Sequence, residues 1–168
     1  KYSKLKELFE SKGYATSFKP ARYIMAPPVW NNIYKGVLGE ECGFNLFKWA
    51  GIELEEIEDA ETFELFDFKV KGEDIFVDFK NWQESTAFDN EQMLEKIADK
   101  ADKCNAGLVI VANIIAGNNS CSVIPSLTKW NGVTILKCPC LLVDAENNVT
   151  EKEKAWSEIV RCINEFKN

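Results

Sequence analysis

The chain has 168 residues, of which 46% are hydrophobic and 12% aromatic, enough for one domain with a substantial core. Its 20 basic and 27 acidic residues leave a formal charge of −7, which excludes a basic nucleic-acid coat protein but not a single local positive groove. With no histidine, there is no Ser-His-Asp or Cys-His nucleophile pair, no His-Glu-x-x-His zinc protease and no His-based nuclease centre.

The chain opens on Lys1 rather than Met, as a domain within a longer protein would. Leu5, Leu8 and Phe9 recur at helical spacing before Gly13, and Ala26-Pro27-Pro28 breaks regular structure ahead of Trp30. Residues 1–30 therefore read as a basic helix and docking segment, and 31–168 as the main body of a single globular unit. A helix is expected from Asn31 or Asn32 to about Ala50, stopped by Gly51, with Val37, Phe44 and Phe47 on one face. Gly39 and Gly43 within it each cost about 1 kcal/mol of helix propensity relative to Ala, which suits close packing on a sheet.

A strand over Ile52–Ile57 comes next, and the stretch from Glu53 to Glu64 holds seven acids and no base, as a solvated edge would. Two further strands, Phe63–Val70 and Ile75–Lys80, flank a turn at Lys71–Asp74. Residues 89–104 read as a helix with Leu94, Ile97, Ala101 and Cys104 inward and Lys96, Lys100 and Lys103 on another, solvated face. Leu108–Ile115 is a strand buried on both faces, 117–120 a loop, Val133–Val143 a strand around Pro139, and 150–166 a closing amphipathic helix. The fold class is α/β, layered on a mixed sheet.

Six cysteines in a chain this rich in core residues read as reduced thiols, so the expected location is cytoplasmic. Cys138-Pro139-Cys140 lacks both a second cysteine pair and a histidine to complete a zinc site. No apolar run reaches the roughly 18 residues of a membrane span, and no Gly-Lys-Ser/Thr phosphate loop or Gly-x-Gly-x-x-Gly turn is present. Chemistry must then run on carboxylates, lysines, cysteines and a bound metal.

In Ile75–Lys80 the strand period of two sets Ile75, Val77 and Phe79 on one face and Phe76, Asp78 and Lys80 on the other. Asp67, one strand earlier in the hairpin, can approach Asp78. Charges in strands this apolar are costly unless paired or metal-bound, and two carboxylates form a hard oxygen site suited to Mg²⁺ or Mn²⁺. Carboxylates gathered against one lysine would repel one another without metal, so Asp78→Asn is expected to raise the metal-free melting temperature.

Asp67, ten intervening residues, then Asp78-Phe79-Lys80, preceded by a helix carrying Gly39-Glu40-Glu41, resembles the PD-(D/E)XK nuclease superfamily. The likeness covers roughly residues 31–115 and departs from the name-giving pattern in having Phe66, not proline, before Asp67. It implies a restriction-endonuclease-like αβββαβ core with helices flanking a mixed central sheet, here with an extra strand and a C-terminal helix. It also implies metal-dependent phosphodiester hydrolysis, with DNA as the substrate. Asp67 and Asp78 would hold Mg²⁺ with the carbonyl of Phe79, Glu40 would reach it directly or through water, and Lys80 would orient the attacking water. Glu40 is preferred to Glu41 because it sits six and seven residues before Leu46 and Phe47 of the core face. Asn81, Trp82 and Gln83 would line the cleft, and Lys96 and Lys100 would meet phosphates.

The string Tyr34-Lys35-Gly36-Val37-Leu38-Gly39-Glu40, with Asp67-Phe68 and Asp78-Phe79-Lys80-Asn81-Trp82, is also similar to nuclease-like domains attached to bacterial helicase-type proteins. That likeness implies a linked helicase or other domain as partner. The competing readings are a non-catalytic docking module on the nuclease fold, and a binding domain with a surface ion-pair cluster.

Overall fold

The computed structural model describes residues 27–59, 61–80, 90–114, 125–139, 141 and 149–167. The expected N-terminal helix and the loop at 117–120 lie outside them. The chain divides into compact units of residues 1–34 and 35–168, and the second contains the sheet.

Helix α1 spans Pro27–Trp49. Its prolines open the helix instead of breaking structure ahead of it, because the first-turn N–H groups have no helical acceptor and proline lacks only that donor. At the far end Gly51 stops it as expected. The Gly51 N–H bonds the Lys48 carbonyl (3.1 Å) and the Ile52 N–H bonds the Phe47 carbonyl (2.9 Å), closing the last turn.

The strands are β1 (Leu54–Glu55), β2 (Phe68–Val70), β3 (Ile75–Lys80), β4 (Leu108–Asn113), β5 (Ser126–Trp130) and β6 (Val133–Cys138). Helix α2 (Glu91–Cys104) lies between β3 and β4 in sequence, and α3 (Val149–Lys167) closes the described chain. The six strands form one open mixed sheet in the order β1-β2-β3-β4-β6-β5. β3, β4 and β6 run parallel, with Asp78 beside Val111 and Lys80 beside Asn113, so their carboxyl ends share one edge. The fold is therefore α/β on a mixed sheet with a C-terminal helix.

Each sheet face carries its own core. Ile75, Val77 and Phe79 pack with Phe47 of α1 and Trp156 and Ile159 of α3. Phe76, Val109, Val111 and Ile135 pack with Leu94, Ile97 and Ala101 of α2. The expected alternation in β3 holds, and all six residues of β4 are buried, as its continuous apolar run requires.

Three strands are shorter than the sequence reading had them. β1 is two residues, not six. The run Phe63–Val70 yields only the three-residue β2, because Phe66 packs on the α2 face while Phe68 packs on the other. Residues two apart share a face in a continuous strand, so the pleat is broken at Asp67. The expected strand 133–143 ends at Cys138, since Pro139 has no N–H for the ladder of an interior strand.

Ahead of β6 stands β5, which the sequence reading did not anticipate. The two are joined by Asn131-Gly132 with φ of 47° and 85°, the paired left-handed residues of a tight hairpin turn. Among the described residues no helix is long and apolar enough to cross a membrane.

Candidate active site

Asp78 is the point where the core stops being apolar. It is 5% exposed, on the central part of the sheet, facing α2. A carboxylate so placed needs compensating charge. Lys80, two residues on and on the same face, brings its Nζ to 2.6 Å from Asp78 Oδ1. Lys100 reaches in from α2, with its Nζ 3.7 Å from Oδ2 and 5.6 Å from the centre of the Phe66 ring. At 3.7 Å Lys100 attracts Oδ2 without hydrogen bonding to it, and Oδ2 has no hydrogen-bond partner.

Lys100 thus departs from the expected solvated stripe. Lys96 and Lys103 are exposed, whereas Lys100 is one-third exposed and turned to Asp78. The four-methylene stem explains the difference, since it lets an ammonium reach back along a helix whose neighbouring residues point to water.

Asp67 brackets Asp78. Its backbone N–H bonds the Val77 carbonyl (3.0 Å), and its Oδ2 accepts the Phe79 N–H (2.7 Å), the residues on either side of Asp78. A side-chain carboxylate here takes the place of a ladder carbonyl, which is why β2 begins only at Phe68. Asp67 thus contacts the backbone of the residues on either side of Asp78.

Glu40 is half-buried on α1 and Glu41 exposed. α1 packs on the Phe79 side of the sheet, with Gly43 against the Phe79 ring, and Glu40 lies one helical turn before that contact. Asp78 and Lys80 leave the sheet on the other side. Among the described residues, no three carboxylates or thiols stand together as a metal-holding group. Asn81, Trp82 and Gln83 lie outside the described residues.

Asn113 has a part that the sequence reading missed. It is fully buried at the carboxyl end of β4, where its Nδ2 donates to the Pro139 carbonyl (3.1 Å) and its own carbonyl accepts the Leu141 N–H (2.8 Å). One residue on, the Ile114 N–H bonds the Lys80 carbonyl (2.9 Å), so the ends of β3, β4 and β6 are laced together beside Asp78 and Lys80. Its signal was a lone polar residue in the run Leu108–Ile115.

The donors available to an ion are hard oxygens. The unsatisfied, buried Asp78 Oδ2 is the kind of acceptor a divalent cation completes, and Asp67 and the Phe79 carbonyl belong to the same hairpin. These donors are of the hard type that Mg²⁺ or Mn²⁺ takes.

An open groove of about 640 Å³ lies on the opposite, α3 side, walled by Trp49, Trp156 and Val160. Its charged member, Arg161, is engaged by Glu158 and Glu165, and the Arg161 hydrogen bond holds the Glu158 carboxyl below the usual range. It offers no acid–base pair free for chemistry. No protein-family model matches the chain, and no curated protein matches it.

Proposed function

We propose that this chain is a metal-dependent nuclease domain that hydrolyses phosphodiester bonds, with DNA as its substrate. The observation that carries the reading is a buried aspartate near the carboxyl end of a central parallel strand, gripped by the lysine two residues on and left with one unsatisfied oxygen. An aspartate placed only for stability would have both oxygens satisfied. The element order α1-β1-β2-β3-α2-β4 also supports the resemblance to the PD-(D/E)XK superfamily.

Asp67, Asp78 and the Phe79 carbonyl would hold the ion; Glu40, on the α1 side of the sheet, is not among these ligands. When bound, Mg²⁺ or Mn²⁺ polarises the scissile phosphate and lowers the pKa of a water. Lys80 orients the attacking water and offsets charge that builds on the phosphate oxygens, a role its anchoring on Asp78 prepares. Asp67 fixes the Phe79 backbone through the Phe79 N–H and so sets the direction of the neighbouring carbonyl. Asn81, Trp82, Gln83 and Lys96 are candidates for substrate contact, and a linked helicase or other domain is the candidate partner.

The test is incubation with single- and double-stranded DNA and RNA in Mg²⁺ or Mn²⁺. Wild type should cleave, whereas Asp78→Ala and Lys80→Ala should not. Asp78→Ala should lose metal affinity, and Lys80→Ala should keep most of it. Absence of cleavage by a folded wild type on every substrate would leave the docking-module reading in its place.

A further inference from the structure

We propose that Lys100 is a built-in counter-ion that stands in for the divalent cation at Asp78 Oδ2 and gives way when the cation binds. The proposal rests on the metal-dependent reading above and deepens it by naming what controls metal affinity at that site.

The two lysines on Asp78 are not equivalent. Lys80 makes a hydrogen bond of 2.6 Å to Oδ1 from the same strand. Lys100 comes from a separate element and stops 3.7 Å from Oδ2, outside hydrogen-bond range. Oδ2 is therefore buried and electrostatically compensated but chemically unsatisfied.

A divalent ion at a metal–oxygen distance of about 2.1 Å attracts that oxygen about 3.5 times as strongly as a single charge at 3.7 Å, before solvation. The ion and the Lys100 ammonium repel each other, so both cannot sit against one oxygen. Lys100 can yield at little cost. Its side chain is one-third exposed, and its Nζ already lies 5.6 Å from the centre of the Phe66 ring, whose face receives a cation. Lys80, hydrogen-bonded to Oδ1, stays.

Emptied of metal, the site would otherwise leave a buried carboxylate with one cation on one oxygen. Lys100 keeps that state compact, and the same contact weakens metal binding, since each ion must displace it.

The experiment is Mn²⁺ binding by calorimetry on the full 168-residue chain, with wild type, Lys100→Met and Lys100→Arg. Lys100→Met keeps the stem and removes the charge, so Mn²⁺ should bind about three- to tenfold tighter. Lys100→Arg keeps the charge and should stay near wild type. Acetylation of wild type read by mass spectrometry supplies a second measurement that needs no variant. Mn²⁺ should raise labelling of Lys100 at least about threefold while leaving Lys96 and Lys103 unchanged.

Equal affinity in wild type and Lys100→Met, or labelling of Lys100 indifferent to Mn²⁺, overturns the counter-ion role while the metal-dependent reading stands. A folded wild type that binds no Mn²⁺ overturns both.

Discussion

A Cβ added to Gly43 would stand 2.3 Å from the Phe79 ring. That ring cannot retreat freely, because Phe47 and Phe68 meet it at centroid distances of 5.6 and 5.8 Å. The helix propensity that Gly43 forgoes is thus offset by letting α1 lie directly on the residue between Asp78 and Lys80.

Gly43→Ala should therefore destabilise the protein, although alanine is the better helix former. Overpacking costs about 1–3 kcal/mol and the propensity gain returns about 1, for a net loss of up to about 2 kcal/mol. Urea denaturation should show a lower midpoint with an unchanged slope, and Gly43→Ala combined with Phe79→Leu should recover part of the loss. A stabilised single variant would mean that α1 does not bear on Phe79.

Asp78→Asn should lower the metal-free melting temperature, the reverse of what the sequence suggests. A cluster of acids around one lysine would gain from losing a charge. In the structure Asp78 instead lies between two ammoniums, at 2.6 and 3.7 Å, and Asn would leave both without their counter-charge. Because the lysines are 24% and 33% exposed, the penalty is discounted from that of a fully buried pair to about 2 kcal/mol, or about 4–8 °C. Differential scanning fluorimetry in chelator checks the sign directly.

Adding Mg²⁺ should stabilise wild type by linkage, since the unfolded chain has no comparable site. With about 10 mM Mg²⁺ and a dissociation constant near 1 mM, RT ln(1 + 10) is about 1.4 kcal/mol, or about 3–6 °C. Asp78→Asn should lose most of that response at matched ionic strength. Identical responses would remove Asp78 from the ligands.

Stability should fall on the alkaline side. Burial, reinforced by nearby Cys162, pushes the Cys138 thiol well above its ordinary 9.0, and burial also raises Cys104 and Cys162. The folded chain then holds protons that the unfolded chain gives up. This contribution is whole below the unfolded pKa and declines as pH rises through it, by up to about 1.4 kcal/mol per pH unit for one fully shielded group. Urea midpoints should drop between about pH 8.5 and 10, and Cys138→Ala, though weaker at neutral pH, should show a shallower drop. Parallel curves would mean that the native thiol ionises as freely as the unfolded one.

Strand β3 was legible because its period of two matches two apolar cores, and that placed Asp78 and Lys80 on one face. The Phe63–Val70 run misled for the opposite reason. Phe66 and Phe68 look like partners on one face, yet they meet Phe76 and Phe79 on opposite sides of the sheet. What separates them is the Asp67 side chain bonding the Phe79 N–H, a long-range bond that local pattern does not encode. β5 escaped because Ser126, Leu127 and Lys129 are exposed, so it lacks a buried stripe, although Asn131-Gly132 is a strong hairpin signal. Helical spacing grouped Lys100 with Lys96 and Lys103 but could not show which way a long side chain bends.

Strand β4 is bonded on both sides by parallel neighbours, and neither pairing can form until a distant stretch of chain has returned to the sheet. Its six residues are buried throughout, so no local fraying exposes their amides. Hydrogen exchange at Val109–Ala112 therefore proceeds only through opening of the whole domain, and those amides should be the slowest in the protein.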